Sequence, residues 1–227
     1  MIKILAFKLT SDLVNLDHKR LLQMVNKEKQ KKIKRFYRLE DSMRSLFAEL
    51  IVRKTICEKF NILNSEVEFW ANEFGKPFLA GTDDFNFNVS HSSEWIICAV
   101  GIRPLGIDIE KIKEIEIEDM VKYFFSNQEL ETLNKISDCD KIKYFYELWT
   151  LKESYVKAIG KGLYIPLNSL TLRLEDSIKL YEGKTRRDCS FGQFDFDSSY
   201  KMAICSFGEE ISKNIKFITY GELQCLH

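Results

Sequence analysis

Histidine is scarce in this chain: its 227 residues contain only three. Six cysteines are present, but none forms a Cys-x-x-Cys motif, and Cys57, Cys98 and Cys205 lie in apolar runs. Zinc sites depend on clustered cysteine and histidine ligands, so both shortages argue against one. Buried free thiols in a reducing cytoplasm fit this pattern better than disulfides do.

Net charge is also lacking, because 34 basic residues balance 34 acidic ones. No global field therefore drives the chain onto nucleic acid or a membrane. No apolar run is long enough to span a bilayer, and lysines interrupt the first eight residues, which predicts a strand and not a signal peptide. The sequence predicts a cytoplasmic protein with neither a membrane nor a nucleic-acid partner.

The hydrophobicity pattern predicts an α+β fold. We expect two similar halves, residues 1–103 and 104–227, related by a pseudo-twofold axis. Residues 19–60 and 143–159 are helical in pattern, and the second segment ends at Gly160, a typical helix stop. Residues 87–101 resemble residues 194–208, which supports a duplication. Each half is expected to be a small antiparallel sheet packed on a long helix, with the active site in the cleft between them.

Shorter elements complete this prediction. Helices are expected at residues 116–125 and 128–136, and strands at residues 86–90, 95–102, 107–110, 169–174, 177–181, 200–207 and 215–219.

Two acidic side chains alternate with isoleucines in Gly106-Ile-Asp-Ile-Glu110, so Asp108 and Glu110 lie on one face of a predicted strand. Taken alone, such a pair is more often the solvated face of a half-buried strand. The later segment Trp149-Thr-Leu-Lys-Glu-Ser-Tyr-Val-Lys157 adds Glu153 and Lys157, one helical turn apart. By themselves they are equally explained as a surface ion pair worth about 0.3–0.5 kcal/mol.

Lys152 favours a functional site over a surface ion pair, because it falls within the apolar stripe of the same predicted helix. A lysine among core residues destabilises the fold unless an anionic group receives it. If Glu153 faces Asp108 and Glu110, two of these carboxylates ~4–5 Å apart repel by roughly 3–4 kcal/mol at an effective dielectric of 20. Such a cluster shifts its pKa values or recruits a cation, and all-oxygen ligands favour Mg²⁺ or Mn²⁺ over zinc.

At this separation the two segments resemble the signature motifs of 4′-phosphopantetheinyl transferases, in the surfactin-type branch whose single chain contains two related halves. The resemblance extends along nearly the whole chain. Further matching blocks are residues 35–41, 73–77, 88–92, 124–126 and 201–205. No catalytic position departs from the pattern, although Met43 stands where relatives often have histidine.

The resemblance implies transfer of phosphopantetheine from coenzyme A to a serine of an apo acyl or peptidyl carrier protein, with release of 3′,5′-ADP. It implies that Asp108, Glu110 and Glu153 bind Mg²⁺, with Mn²⁺ as an alternative, and that Glu153 and Lys157 are catalytic. Glu153 would accept the serine proton, directly or through a metal-bound water. Lys157 would stabilise the pyrophosphate and the leaving ADP, with Lys152 supporting it or a neighbouring carboxylate.

Contacts to coenzyme A follow from the same resemblance. A phosphomonoester carries roughly −1.5 to −2 charges, which suits a local cluster of basic side chains. The implied contacts are Lys29, Lys32, Arg44, Ser45, Lys76, Ser90, His91, Lys152 and Lys157. The carrier protein is expected to dock along residues 162–166, together with Phe124 and Phe125.

Two other functions compete with this interpretation. A non-catalytic coenzyme A-binding regulatory module would not need a repulsive acidic triplet. The basic run at residues 27–38 is also typical of a solvated helix face, and a nucleic-acid patch there has no aromatic partners beyond Phe36 and Tyr37. A serine hydrolase is rejected, because the chain has no Gly-x-Ser-x-Gly elbow.

Overall fold

The computed structural model describes residues 1–226, except for the side chain of Leu163. Its helices are α1 (Ser11–Val14), α2 (Lys19–Gln23), α3 (Lys27–Ile33), α4 (Leu39–Phe60), α5 (Glu118–Phe124), α6 (Asn127–Leu133), α7 (Asp138–Ile159) and α8 (Tyr220–Gln224). Its strands are β1 (Ile2–Lys8), β2 (Phe69–Ala71), β3 (Pro77–Leu79), β4 (Asn86–Ser92), β5 (Trp95–Gly101), β6 (Leu105–Lys111), β7 (Leu170–Leu174), β8 (Ile178–Glu182), β9 (Thr185–Arg186), β10 (Ser190–Gln193), β11 (Tyr200–Ser206) and β12 (Ile211–Phe217). None of the helices described for these residues is long and apolar enough to cross a membrane.

One sheet has the strand order β12-β1-β5-β4. Strand β5 is antiparallel to both of its neighbours, and β12 runs parallel to β1. Because β5 is central, all of its residues are buried. Helix α4 covers one face of this sheet and buries Leu46, Phe47 and Leu50 completely.

The second sheet is antiparallel, with the order β10-β11-β6. Helix α7 packs across β6 and β11, where Leu148 and Leu151 contact the same apolar cluster as Ala203 and Cys205. A separate antiparallel sheet of β7, β8 and β9 follows α7 in the chain. A small sheet packed on a 22-residue helix therefore occurs twice, as the sequence predicted, although the parallel strand β12 makes the first sheet mixed and only the second fully antiparallel.

The two main sheets also pack against each other. Ile4 of β1 and Ile97 of β5 share an apolar cluster with Ile107 and Ile109 of β6, and water reaches almost none of these side chains. Burial of these isoleucines leaves Asp108 and Glu110 on the opposite face of β6, towards α7. The predicted alternation along this strand is therefore correct.

The helical pattern over residues 19–60 resolves into three helices separated by two breaks. The first break ends at Asn26, whose side-chain oxygen accepts a hydrogen bond from the Lys29 amide at 2.8 Å and so starts α3 as its N-cap. A second break precedes Leu39, where α4 begins. Helix α7 begins at Asp138, five residues earlier than predicted, and ends as predicted at Gly160, which has φ +76°.

The division into residues 1–103 and 104–227 and the pseudo-twofold axis stay predictions. Residues 211–224, which lie in the predicted second half, pack with the sheet and the core of the first half. Strand β12 pairs with β1, and Ile218 and Leu223 complete the apolar core around α4. The chain therefore passes from the first sheet to the second after β5 and returns after β11.

Candidate active site

The candidate site forms where α7 packs directly on β6, and Gly106 makes this close packing possible. A Cβ atom at position 106 would lie 2.1 Å from the Ser154 carbonyl oxygen and 2.4 Å from the Ala158 nitrogen. Both are backbone atoms of α7, so no side-chain rotation can relieve the overlap. The glycine lets the helix approach until Glu153 and Lys157 line the same pocket as Asp108 and Glu110.

Asp108 is the buried centre of the site and is only 3 % exposed. Its Oδ1 atom accepts hydrogen bonds from Lys157 Nζ at 2.6 Å and from Ser90 Oγ at 2.8 Å. Lys157 Nζ also donates to Ser90 Oγ at 2.9 Å. Strands β4 and β6 and helix α7 thus each contribute one member of a carboxylate–ammonium–hydroxyl cluster.

Glu110 lies at the edge of this cluster and accepts a hydrogen bond from Ser92 Oγ at 2.8 Å. Burial, together with the negative charge of Asp108, raises the pKa of Glu110 to about 7. Burial and Asp108 likewise raise the pKa of Glu153. Glu153 is half-buried, and its carboxylate accepts no hydrogen bond from the residues that the structure describes.

These carboxylates fit a hard divalent cation, although they do not form a closed ligand set. Across the described residues 1–226, no group of three or more His, Cys, Asp or Glu side chains is close enough to hold a metal ion. The chemistry nevertheless favours a cation: Asp108 Oδ2 is buried without a hydrogen-bond partner in the described part of the chain. A buried, unpartnered carboxylate oxygen beside two further carboxylates with raised pKa values is stabilised when a positive charge arrives.

A cavity of about 400 Å³ surrounds the cluster. Its polar lining comes from both predicted halves, and its apolar wall consists of Phe124 and Trp149, whose rings pack edge to face at 4.4 Å. The remaining lining residues are Val89, Ser90, His91, Asp108, Glu110, Glu153 and Lys157. Six of these nine lining residues, all except Val89 and the two aromatic residues, were predicted as site residues from the sequence.

A second cavity, of about 530 Å³, shares Val89 with the first. Lys29 and Lys32 line it, together with the aromatic residues Phe69 and Trp70. Lys29 Nζ lies 3.3 Å from Glu49 Oε2, and burial lowers the pKa of this lysine. The structure therefore places two of the predicted coenzyme A contacts in a cavity next to the carboxylate cluster.

Arg44 lies near His91, which lines the first cavity. Arg44 donates to the Ser93 carbonyl at 2.8 Å and pairs with Asp41. Partial shielding from water, followed by the charges of Arg44 and Lys157, lowers the pKa of His91, so its imidazole is neutral near pH 7. Ser45 is buried on α4, and none of the cavities described here includes it.

The structure corrects the prediction that Lys152 contacts coenzyme A or supports Lys157. Its side chain is completely buried, and Nζ pairs with Glu129 Oε2 at 2.6 Å. The same ammonium donates to the carbonyl oxygens of Phe124, Leu167 and Leu170. Lys152 does require an anionic partner, as predicted, but Glu129 supplies it and the ammonium lies outside the cavity.

The prediction that Lys76 contacts coenzyme A is corrected in the same way. Its ammonium donates to the carbonyl oxygens of Leu105, Lys157 and Ala158, at 3.2, 2.6 and 2.9 Å. These three bonds use all its protons. Burial lowers the pKa of Lys76 to about 8. Lys76 therefore caps the C-terminal end of α7.

Ser92 and Glu129 help to shape the site but were not predicted from the sequence, and Phe124 was predicted in a different role. Ser92 was not singled out, although it lies two positions after Ser90 and so on the same face of β4. Glu129 has a visible signal, since Ser126-Asn-Gln-Glu129 matches a capping box, and the structure contains that box. Phe124, treated before as a docking residue, lines the cavity itself.

Comparisons with known proteins identify the family of this chain. Residues 104–205 match the family model described as the 4′-phosphopantetheinyl transferase superfamily, and residues 14–102 match that of the 4′-phosphopantetheinyl transferase N-terminal region. A 4′-phosphopantetheinyl transferase of Bacillus subtilis is 38 % identical over 90 % of this chain and 92 % of its own length. The 4′-phosphopantetheinyl transferase Sfp of Bacillus subtilis (strain 168) is 36 % identical over 91 % of this chain and 93 % of its own length.

Among solved structures, a holo-(acyl-carrier-protein) synthase from Bacillus anthracis in complex with CoA (3′,5′-ADP) matches with a TM-score of 0.40 and 18 % identity. That match covers 45 % of this chain and 92 % of the synthase. The sequence relatives, which cover nine-tenths of both chains, decide the assignment. This chain belongs to the 4′-phosphopantetheinyl transferase superfamily, in its Sfp-like branch, and is an enzyme of that family.

Proposed function

We propose that this enzyme transfers the 4′-phosphopantetheine group of coenzyme A to a serine of an apo acyl or peptidyl carrier protein. The observation that carries the proposal is the cluster of Asp108, Lys157 and Ser90, with Glu153 beside it, in a cavity that adjoins a lysine-lined one. Family membership supplies the reaction type, and the cluster supplies groups suited to it.

Cationic side chains are placed to bind the phosphates of coenzyme A. Lys157 opens onto the cavity with 27 % of its side chain exposed, so it can exchange its bond to Asp108 for one to an incoming phosphate oxygen. Lys29 and Lys32 provide positive charge in the adjoining cavity, and Arg44 and His91 provide donors near the carboxylate cluster. Either pair of side chains is suited to the 3′-phosphate or to the pyrophosphate.

The chemical step is a substitution at phosphorus. The carrier serine oxygen forms a bond to the phosphorus nearer the pantetheine, the bond from that phosphorus to the bridging pyrophosphate oxygen breaks, and 3′,5′-ADP leaves. The serine proton passes to Glu153, the carboxylate of the cluster that accepts no hydrogen bond from the described residues. Lys157 donates to the pyrophosphate as negative charge builds up on the leaving group.

Asp108, Glu110 and Glu153 are the residues that we propose to hold Mg²⁺, with Mn²⁺ as an alternative. When bound, the ion would neutralise the charge of the pyrophosphate oxygens. The unpartnered Oδ2 atom of Asp108 supports this assignment. Lys157 holds Asp108 Oδ1 and Ser92 holds Glu110 Oε2, so both carboxylates are already oriented.

The test is intact mass spectrometry of several apo carrier proteins incubated with the enzyme, coenzyme A and Mg²⁺, beside samples with EDTA. We expect a metal-dependent mass gain of one phosphopantetheine group. Asp108→Ala and Glu153→Ala are expected to abolish the gain while unfolding stays cooperative. Glu147→Ala is the matched control, because Glu147 lies on the same helix but bonds to Gln193 outside the cavity. Tight coenzyme A binding with no mass gain on any carrier would contradict the proposal.

A further inference from the structure

Strands β4 and β6 are joined by side chains and not by a backbone ladder. Three alternate residues of β4 accept hydrogen bonds from three alternate amides of β6. The Ile107 amide donates to Asn88 Oδ1 at 2.9 Å, and the Lys111 amide donates to Ser92 Oγ at 3.0 Å. Between them, the Ile109 amide lies 3.4 Å from Ser90 Oγ. We call Asn88, Ser90 and Ser92 the polar ladder.

The two serines of the polar ladder make a second contact that Asn88 does not make. Each hydroxyl donates to the carboxylate that immediately precedes its amide partner on β6: Ser90 to Asp108 and Ser92 to Glu110, both at 2.8 Å. The residue in the equivalent place opposite Asn88 is Gly106, which has no side chain. All three side chains of the polar ladder therefore accept a hydrogen bond from a β6 amide, but only the two serines also donate one to a carboxylate.

A serine hydroxyl has a single proton. Because the Lys111 amide occupies the acceptor side of Ser92 Oγ, the proton of that hydroxyl points at Glu110 Oε2. The direction of the bond is thus set by the backbone of β6 itself. This contact binds one oxygen of Glu110, while Oε1 accepts no hydrogen bond from the described residues.

Without this hydrogen bond, the Glu110 side chain is expected to turn away from Asp108 and towards solvent. Its charge repels that of Asp108, and a free glutamate side chain gains rotamer entropy when it turns into solvent. A side chain in this position orients a metal-binding carboxylate before the cation arrives, and removal of such outer partners typically weakens metal binding by about 10–100-fold.

We propose that Ser92 is a positioning residue, which holds Glu110 in the orientation that binds the divalent cation. This inference rests on the proposed function, because the cation site is part of that proposal. It concerns a residue outside the set implied by family resemblance, and it separates two roles of the polar ladder. Asn88 joins the strands only, whereas Ser92 joins them and orients a ligand.

The experiment measures Mn²⁺ binding by electron paramagnetic resonance, with saturating coenzyme A and no carrier protein. Ser92→Ala is expected to raise the Mn²⁺ dissociation constant by about 10–100-fold. Ser92→Thr, which keeps the hydroxyl, should restore binding to within about threefold of the wild type. Asn88→Ala breaks the same kind of strand-to-strand bond without touching a carboxylate, so it should lower thermal stability but leave the Mn²⁺ dissociation constant within about threefold.

Three results would overturn the inference. The first is Mn²⁺ binding by Ser92→Ala as tight as that of the wild type. The second is a loss of binding in Asn88→Ala as large as that in Ser92→Ala, and the third is weak binding by Ser92→Thr. The carrier-modification assay on the wild-type enzyme is read separately. If the wild-type enzyme modifies carriers and any of these three results is found, only the proposed role of Ser92 is wrong. If the wild-type enzyme neither binds Mn²⁺ nor modifies a carrier, the proposed function is wrong as well.

Discussion

Replacement of Gly106 by alanine is a test of how the site is assembled. The added Cβ would lie 2.1 Å from the Ser154 carbonyl oxygen, whereas ordinary van der Waals contact begins at 3.4 Å. Restoring that separation moves α7 away from β6 by about 1.3 Å. The movement separates Glu153 and Lys157 from Asp108, because the first two residues lie on the helix and the third on the strand.

Both stability and activity should fall. Overpacking a core usually costs about 1–3 kcal/mol, and we expect at least the upper end of that range, since the clashing atoms belong to backbone. A displacement of about 1 Å in a reacting group can reduce the rate about 10²-fold. Urea denaturation measures the free energy of unfolding, and the carrier-modification assay measures the rate in the protein that remains folded.

Gly221→Ala is the control for the loss of glycine flexibility. Gly221 lies in α8, and a Cβ atom there would meet nothing within 4 Å. This variant should keep wild-type activity and stability to within about 1 kcal/mol. If Gly106→Ala unfolds at the same urea concentration as wild type and transfers at the same rate, the proposed dependence of the site on helix–strand contact is wrong.

Three further predictions concern buried charges. Because burial raises the pKa of Glu110 to about 7, its contribution to stability is complete below its unfolded pKa and is lost as pH rises through 7. Metal-free wild type should therefore lose about 1–2 kcal/mol more than Glu110→Gln between pH 5 and pH 8 in urea denaturation, after allowance for partial exposure; equal losses would contradict this. Lys152→Met should destabilise the fold by about 3–5 kcal/mol, because it leaves Glu129 charged and buried. The double variant Lys152→Met/Glu129→Leu should regain part of that loss, since it removes the buried charge but leaves the amides of Ser126 and Leu172 without their acceptor. A double variant no more stable than the single one in the same assay would argue against the pair. Lys76→Met should cost about 1–3 kcal/mol through its unpaired carbonyl partners while the coenzyme A dissociation constant by calorimetry stays within about threefold. If Lys76→Met weakens coenzyme A binding without changing the free energy of unfolding, Lys76 contacts coenzyme A as the sequence predicted.

The sequence was most informative where local periodicity decides position. Alternation along β6 was enough to place Asp108 and Glu110 on one face, and helical spacing placed Glu153 and Lys157 one turn apart. These rules do not reveal tertiary partners. The helical pattern correctly indicated that Lys152 needs an anion, but Glu129 lies 23 residues earlier on another helix, and only folding brings the two together.

The same limit explains the other differences. The three acceptors of Lys76 are backbone carbonyls, which every residue has, so no sequence pattern identifies them. The parallel pairing of β12 with β1 joins residues some 210 positions apart and has no local signal. The breaks between α2, α3 and α4 were detectable in principle, since Asn26 is a good N-cap, but the continuous apolar pattern outweighed it.

The return of the chain to β12 affects how the two sheets can move and how they form. Two connections, residues 102–104 and 207–210, cross between the sheets side by side, since Glu209 Oε2 accepts hydrogen bonds from the Ile102 and Arg103 amides at 2.8 and 3.1 Å. Any relative movement of the two sheets therefore bends both connections together. During synthesis, β1 remains an unpaired edge until residue 217 has left the ribosome, and nascent chains are exposed to strand-mediated aggregation over that interval.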